Sequence, residues 1–296
     1  MSQIRTDNNA GFSLVSQKFS DYSQLVKLRL NLTVVFSSVM AYLIASGGSV
    51  NLTLLLVLSI GGFLVTGASN ALNQVLEKEY DRDMKRTENR PLAANRMTTS
   101  EGVMAAGFMS VVGIGLLATI NPWTALLGTV ALISYAFIYT PMKRVSPAAV
   151  FIGAVPGALP MMIGCVAAEG TITGLSIALF SLQFIWQLPH FWAIGWLAFK
   201  DYNQAGFKFL EAQDEQLGKQ SFIYALLLIP ISWMPYLLEI SGIVSAIFLT
   251  IAAIIYAGFG WNLYRKNNRK AALRLMFSSF FYLPLVLFAL YADKIL

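Results

Sequence analysis

The sequence predicts an all-α, polytopic membrane protein with nine transmembrane helices and a cytoplasmic N-terminus. Three observations support this prediction. Hydrophobic residues make up 56% of the 296 residues, charged residues make up only 12%, and the mean hydropathy is +0.62. Soluble domains carry about 25% charged residues. A soluble chain of this length cannot bury so much apolar surface, so part of its surface must face lipid.

Nine apolar segments are long enough to cross a membrane, which takes about 20 residues per helix. Backbone groups in lipid must be satisfied within each segment, so the segments are predicted to be helices. The predicted spans are residues 26–46, 52–75, 102–120, 123–140, 147–168, 174–198, 220–239, 242–264 and 271–292. We expect residues 1–25 to be a polar cytoplasmic tail and residues 26–296 to form a single transmembrane domain.

The basic residues fix the expected orientation. With nine spans and the N-terminus inside, the inner segments are residues 1–25, 76–101, 141–146, 199–219 and 265–270. Almost every Lys and Arg lies there or within a turn, and Lys294 is the exception. This positive-inside bias predicts that the N-terminus is cytoplasmic. It also explains the net charge of +6 without nucleic acid. We expect the protein to lie in the cell inner (cytoplasmic) membrane.

The stretch NQVLEKEYDRDMKRTENRP, residues 73–91, concentrates charge beside the second span. On a helix, Asn73, Glu77 and Asp81 follow one another at i, i+4 and i+8, so they share one face. Mg²⁺ prefers carboxylates together with substrate phosphate oxygens. This 73–77–81 row is therefore predicted to hold Mg²⁺ completed by a diphosphate. An ordinary cytoplasmic loop is the alternative, but topology requires bases and does not require acids.

Basic residues follow the row closely. Arg82, Arg86 and Arg90 come next, and arginine forks match phosphate oxygens. These three residues are therefore predicted to bind the diphosphate. Lys143 and Arg144 lie in a very short inner loop and are further candidates for binding anionic groups. Topology alone explains these last two residues equally well.

His190 is the only histidine, and it lies after a proline inside the sixth predicted span. Polar residues inside a membrane bundle are costly and suggest function. The alternative is a structural histidine with a satisfied hydrogen bond. The only cysteine, Cys165, lies in an apolar run. The chain shows no Ser–His–Asp or Cys–His arrangement for nucleophilic catalysis.

Several of these motifs resemble a known family. The pattern from Asn73 to Pro91, N-x-x-x-E-x-x-x-D followed by M-x-R-T-x-x-R-P, resembles the first acidic motif of the UbiA-type intramembrane prenyltransferases. Three further stretches are similar to the protohaem IX farnesyltransferase (haem O synthase) branch of that family. They are YTPMKRVSPAAVFIGAVPGALPMMIG (139–164), WQLPHFWAIGW (186–196) and KDYNQAGFKFL (200–210). The resemblance covers about residues 20–290.

The resemblance implies a UbiA-type helical bundle that transfers the farnesyl group of farnesyl diphosphate to a vinyl group of haem B. Water is added, and the products are haem O and diphosphate. Mg²⁺ is the implied cofactor, and the active site faces the cytoplasm. The implied partners are farnesyl diphosphate, haem B and membrane lipid, and pathway logic adds a haem A synthase as a candidate.

The resemblance also implies roles for individual residues. Asn73, Glu77, Asp81 and Asp201 are implied metal ligands and catalytic residues. His190 is implied to orient haem, bind its iron or position water. The implied substrate-binding residues are Arg82, Arg86, Arg90, Lys143, Arg144, Lys200 and Tyr202.

The sequence departs from the family pattern at two places. Glu77 stands where the family usually has Asp, and the second motif keeps only Asp201, with Lys200 beside it. A single-metal site is therefore an alternative. A UbiA-type enzyme acting on a quinone or chlorophyll precursor would be expected to have an acid-rich second motif. A secondary transporter would be expected to carry charges near the membrane midplane, where the predicted spans carry almost none.

Overall fold

The computed structural model describes residues 16–208, 210 and 212–295. Within them, nine helices are long and apolar enough to cross a membrane, which confirms the predicted number. We label them α1 Leu28–Ser46, α2 Leu52–Arg82, α3 Thr99–Ile120, α4 Pro122–Met142, α5 Ala149–Glu169, α6 Gly174–Leu197, α7 Glu215–Leu237, α8 Ile243–Lys266 and α9 Arg269–Ile295. The described residues contain no strand.

Most helix ends differ from the predicted spans by a few residues, and three helices have features that the predicted spans did not include. α2 continues to Arg82, well past the predicted end at residue 75. α4 contains a π-helical turn at Ser134–Tyr139. α7 is interrupted at Leu227 between its two helical segments. Hydropathy marks where a helix can meet lipid, so it does not show where hydrogen bonding continues beyond the lipid or changes its register.

Two hydrophobic cores hold the bundle together, and α1 and α5 contribute to both. One core joins them to α2, α3 and α4, and the other joins them to α6, α7, α8 and α9. Glycines allow α5 to sit this centrally. A Cβ at Gly164 would lie 2.1 Å from the Ser38 backbone oxygen, and one at Gly157 would lie 2.2 Å from Gln187 Oε1. Close approach of α1 to α5 therefore requires Gly164, because the atom it would meet is backbone, whereas a Cβ at Gly157 would require the end of the Gln187 side chain to move.

Large apolar side chains cover the outside of the bundle. Val111, Val244 and Phe281 are 75%, 73% and 69% exposed. A water-soluble protein rarely exposes so much contiguous apolar surface. In a bilayer the same side chains lie in hydrocarbon, which accounts for the high mean hydropathy.

The described part of the predicted N-terminal tail, residues 16–25, is a helix that packs against the bundle. Asp21 is 2% exposed and lies 2.8 Å from Arg96 in the loop between α2 and α3. The buried Gln74 amide of α2 donates to the carbonyl oxygens of Gln24 and Leu25 at 2.8 and 2.9 Å. These polar contacts hold the segment in place. Residues 1–15 of the predicted tail lie outside the described residues.

The length of α2 carries its last turns out of the hydrocarbon. Its 31 residues extend about 46 Å, whereas the hydrocarbon core is about 30 Å thick. Asn73 lies roughly 32 Å along the axis from Leu52. The end of α2 that carries the 73–77–81 row therefore lies at the edge between lipid and water.

Candidate active site

The 73–77–81 row faces the protein interior. Asn73, Glu77 and Asp81 lie on the last turns of α2 and are 1%, 3% and 1% exposed. The predicted common face is therefore real, and it does not point into bulk water. Carboxylates buried to this extent require positive partners or strong hydrogen bonds.

Each carboxylate of the row pairs with a base from a loop. Arg90 Nη1, in the loop between α2 and α3, donates to both Asp81 oxygens at 2.8 and 2.7 Å. Lys143 Nζ, which follows α4, lies 2.5 Å from Glu77 Oε1. Burial lowers the pKa of Lys143, and the Glu77 carboxylate opposes that shift. The two predicted substrate-binding bases thus lie directly on the two predicted acids.

Asn73 links the row to two other segments. Its Oδ1 accepts a hydrogen bond from Lys27 Nζ at 2.8 Å. Its Nδ2 donates to Glu77 Oε2 at 2.8 Å and to Thr140 Oγ1 at 3.2 Å. The amide therefore presents oxygen to a cation and nitrogen to a carboxylate, which fixes its orientation.

Lys27 is a site residue that the sequence analysis missed. It lies at the junction of helix 16–25 and α1, and its backbone is left-handed, with φ 49° and ψ 59°. Burial lowers the pKa of Lys27, and the positive charges of Arg90 and Lys143 lower it further. In the sequence it is one inner base among many, so neither spacing nor composition marks it as a partner of Asn73.

The π-helical turn of α4 brings side chains to the row. A π-turn shifts the residues that follow it around the helix axis, and such turns are frequent at functional sites. Thr140, directly after the turn, is completely buried, and its hydroxyl donates to the backbone carbonyl oxygen of Tyr135 at 2.9 Å. Lys143 Nζ lies 5.0 Å from the centre of the Tyr139 ring. No signal in the sequence marks this turn.

The segment after α6 meets the end of α2. It begins with a short helix, Phe199–Gln204. Arg86 Nη2 donates to the Tyr202 hydroxyl at 3.2 Å, and the Tyr80 and Phe207 rings lie 5.8 Å apart. The structure therefore brings the two predicted motifs, around residues 73–91 and 200–210, to the same end of the bundle.

Asp201 does not join the row. Its side chain is partly buried, and that of Lys200 is exposed. Neither side chain makes a hydrogen bond or ion pair with any residue the structure describes. The same residues contain no cluster of three or more His, Cys, Asp or Glu side chains that could hold one metal ion. The metal role of Asp201 and the substrate role of Lys200 stay predictions.

Two predicted substrate-binding arginines have other contacts. Arg82 donates to the Ala93 carbonyl oxygen at 3.0 Å and to Asn95 Oδ1 at 2.7 Å, so it supports the loop between α2 and α3. Arg144 lies over the Tyr80 ring, with 4.2 Å from Cζ to the ring centre. Neither arginine therefore contacts the row through these bonds: Arg82 contacts the loop between α2 and α3, and Arg144 contacts Tyr80 of α2.

His190 lies away from the row. Its Nδ1 is 2.7 Å from Ser279 Oγ on α9, and its ring stacks on Trp186 with centres 5.6 Å apart. Phe280 packs edge-on against the ring at 5.1 Å. These contacts place His190 between α6 and α9, about 10 Å along α6 from its inner end at Leu197. Its implied role with haem stays a prediction.

The donor set of the row suits a hard divalent cation. Two carboxylates and one amide oxygen share one buried face, and Mg²⁺ takes oxygen ligands of this kind. Glu77 Oε1 pairs with the Lys143 ammonium at 2.5 Å, and it has no further hydrogen-bond donor among the described residues. The residues therefore fit a metal ion once Lys27, Arg90 and Lys143 no longer occupy the oxygens of the row.

Comparison with known sequences places the chain among prenyltransferases. The sequence profile of the UbiA prenyltransferase family matches residues 34–284. A protoheme IX farnesyltransferase of Cytophaga hutchinsonii is 42% identical over an alignment of 285 positions, which covers 95% of this chain and 100% of the relative. One of Christiangramia forsetii is 38% identical over an alignment of 304 positions, which covers 99% of this chain and 98% of the relative.

Two solved structures share the fold. A digeranylgeranylglyceryl phosphate synthase matches with a TM-score of 0.79 and 19% identity, covering 94% of this chain and 99% of that protein. A UbiA homolog from Archaeoglobus fulgidus, bound to DMAPP and Mg²⁺, matches with a TM-score of 0.70 and 15% identity. That match covers 92% of this chain and 99% of the homolog. At these identities the likeness concerns the fold alone.

The buried pair of Arg90 and Asp81 generates a stability prediction. Arg90→Gln leaves the Asp81 carboxylate buried without its cation, which costs roughly 3–5 kcal/mol for a fully buried pair. The Arg90 side chain is 19% exposed, so we expect the lower end of that range. Thermal unfolding in mild detergent measures the effect. Adding Asp81→Asn should restore part of the loss, because no unpaired charge then remains.

The matched control is Lys18→Gln. Lys18 lies 2.9 Å from Glu101, but this ion pair is exposed to water and contributes little to stability. We expect no measurable change in melting temperature. Equal melting temperatures for Arg90→Gln and Lys18→Gln would contradict a structural role for the buried pair.

Proposed function

Because the chain belongs to the UbiA prenyltransferase family, we propose that it transfers the farnesyl group of farnesyl diphosphate to a vinyl group of haem B. Water is added in the reaction, and the products are haem O and diphosphate. The observation that carries the proposal is the 73–77–81 row with its facing bases at the edge of the lipid. Nearly full-length relatives named protoheme IX farnesyltransferase support this choice of substrates.

The distribution of polar groups suits both substrates. Farnesyl diphosphate and haem B each have an anionic head and a large apolar body. The buried charges at the inner end of α2 offer contacts to the heads, while apolar helices surround the bodies. A helical bundle in lipid can admit such molecules sideways and keep their charged groups near water.

The charge of the cluster matches a metal diphosphate. Three bases, Lys27, Arg90 and Lys143, face the two carboxylates Glu77 and Asp81, so formal positive charge is in excess. Diphosphate with one Mg²⁺ is a net anion. We propose that Asn73, Glu77 and Asp81 hold Mg²⁺ when substrate binds. Mg²⁺ would then supply positive charge against the phosphate oxygens.

The bases then change partners. Arg90 and Lys143 release the carboxylates and donate to the diphosphate oxygens, and Arg86 with its partner Tyr202 lies beside them. Fixed donors at the position where negative charge develops favour departure of the diphosphate with the electron pair of the allylic C–O bond. Such preorganised charge stabilisation is often the largest single contribution to catalysis.

The remaining steps need no protein nucleophile. Electrons of the haem vinyl group form the new C–C bond with the allylic carbon of the farnesyl group. Water then adds to the resulting carbocation beside the pyrrole ring and loses a proton, which gives a hydroxyethyl group. The role of the apolar surroundings is to exclude other water until the C–C bond has formed.

We place the protein in the cell inner membrane, with this end of the bundle in the cytoplasm. The support is the concentration of bases at the end that carries the row. The test uses Lys85→Cys in the exposed loop after α2, in a Cys165→Ala background. Maleimide should label it only from the cytoplasmic side, whereas Ser49→Cys should be labelled only from the opposite side. The reverse pattern would overturn the orientation.

A haem A synthase stays a candidate partner on pathway logic alone. The proposed product, haem O, would be the substrate of such an enzyme. Co-purification of the two proteins from mild detergent would test the association. An unrelated membrane protein in place of the haem A synthase is the control and should not co-purify.

Membranes containing the protein should convert haem B to a heavier and more apolar haem when farnesyl diphosphate and Mg²⁺ are added. Liquid chromatography with mass detection measures the product. Removal of Mg²⁺ with a chelator should stop the reaction, and adding it back should restore it. Turnover of an aromatic acid without turnover of haem B would replace haem with a quinone precursor as the acceptor.

Asp81→Asn should abolish turnover while the protein still inserts into the membrane. Groups that only orient a metal ligand cost about 10–100-fold in activity when lost, so a ligand itself should cost at least roughly 100-fold. The matched control is Asp83→Asn, two residues further on and exposed to water. Full activity of Asp81→Asn would remove the metal role of the row, and an equal loss in Asp83→Asn would show a nonspecific charge effect.

A further inference from the structure

The turn between α8 and α9 gathers positive charge. Only Asn267 and Asn268 separate the two helices. Five bases surround this turn: Arg265, Lys266, Arg269, Lys270 and Arg274. In the part of the chain that the structure describes, no carboxylate lies within 4.0 Å of any of them. Like charges this close repel one another, so an anionic partner would stabilise the arrangement.

A groove runs along the outside of the bundle from this turn. The part of the groove further from the turn has a volume of about 260 Å³ and is lined by Ile255, Gly258, Phe259, Asn262 and Arg274. The part next to the turn has a volume of about 170 Å³ and is lined by Asn262, Lys266, Asn268, Lys270, Ala271 and Arg274. The two parts share Asn262 and Arg274, so they are continuous. The groove is therefore apolar at one end and basic at the other.

The length of the groove matches an amphiphile standing in the membrane. Ile255 and Lys266 are separated by about 16 Å along α8. The basic end lies at the level of the inner loops, and the apolar end reaches into the hydrocarbon. The space beside Gly258 is open, because a Cβ there would meet no atom within 4 Å.

Topology alone accounts for bases at this turn but not for the groove. Positive-inside bias requires bases in an inner loop, and Lys266 and Lys270 satisfy it. Arg274 lies more than one turn inside α9 and faces the groove together with Asn262 of α8. Basic pockets between membrane helices on the cytoplasmic side commonly bind lipid head groups.

We propose that the α8–α9 groove binds an anionic phospholipid. Lys266, Lys270 and Arg274 contact the phosphate head group, and an acyl chain lies along Gly258 and Ile255. Of the row and the bases facing it, no residue lines the groove. The site is therefore separate from the proposed prenyltransferase chemistry, and it can be tested independently of that function.

Native mass spectrometry of the purified full chain tests the site, with phosphatidylglycerol and phosphatidylcholine as competing probes. Wild type should retain phosphatidylglycerol preferentially. Each base near a membrane surface contributes roughly fivefold to binding an anionic lipid, so Lys270→Gln with Arg274→Gln should weaken binding about 25-fold. Lys85→Gln with Lys219→Gln removes the same charge at exposed positions outside the groove and should leave binding unchanged. Equal losses in the two double variants would show a general charge effect and overturn the proposal.

A steric variant separates the groove from its charges. Gly258→Leu fills the floor while every base remains, so it should weaken retention of phosphatidylglycerol and leave the melting temperature of the lipid-free protein unchanged. Gly115→Leu, at another position where a Cβ meets no atom within 4 Å, is the control and should bind as wild type does. Normal retention by Gly258→Leu would overturn the groove as the site. Displacement of the lipid by farnesyl diphosphate or haem B would also overturn it, since the groove would then be a substrate path.

Discussion

The pairing of one buried helix face with bases from three separate segments is the constraint on which the inner end of this bundle depends. A carboxylate that is 1% exposed cannot stay ionised without a partner, so Asp81 requires Arg90 and Glu77 requires Lys143. Lys27 reaches the same face from the start of α1. The charged face of α2 thereby positions the loop between α2 and α3, the loop after α4 and the junction before α1.

Most of the fold could be predicted because lipid imposes a simple rule on sequence. A span must be apolar over its whole length, and all nine predicted spans are helices in the structure. The rule does not apply to helical residues that lie outside the hydrocarbon. α2 continues to Arg82 although its hydropathy falls, because buried Asn73, Glu77 and Asp81 keep its inner face in contact with the protein. The π-turn in α4 changes hydrogen-bond register without changing composition, so no periodicity could reveal it.

The candidate site could be predicted in part, because helix geometry is local and loop geometry is not. The spacing of Asn73, Glu77 and Asp81 was sufficient to place them on one face. Arg82 and Arg90 look alike in the sequence, but α2 ends at Arg82 and the chain then reverses, which returns Arg90 to Asp81. Lys27 could not be found in this way, since 46 residues separate it from Asn73.

The inner bases of the chain fall into two physical classes that positive-inside bias does not distinguish. Arg90 and Lys143 pair with buried carboxylates, so an anionic ligand would have to separate these pairs before it could bind the two bases. Among the described residues, no carboxylate lies within 4.0 Å of Arg274 or Lys270, so these two bases can accept an anion from outside the chain. A ligand that binds Arg90 and Lys143 would need to bring a cation that replaces these bases on the row, as a metal diphosphate would in the proposed function. A ligand of the second class needs only negative charge and an apolar tail. The presence or absence of an acidic partner therefore separates a candidate site for chemistry from a candidate site for lipid.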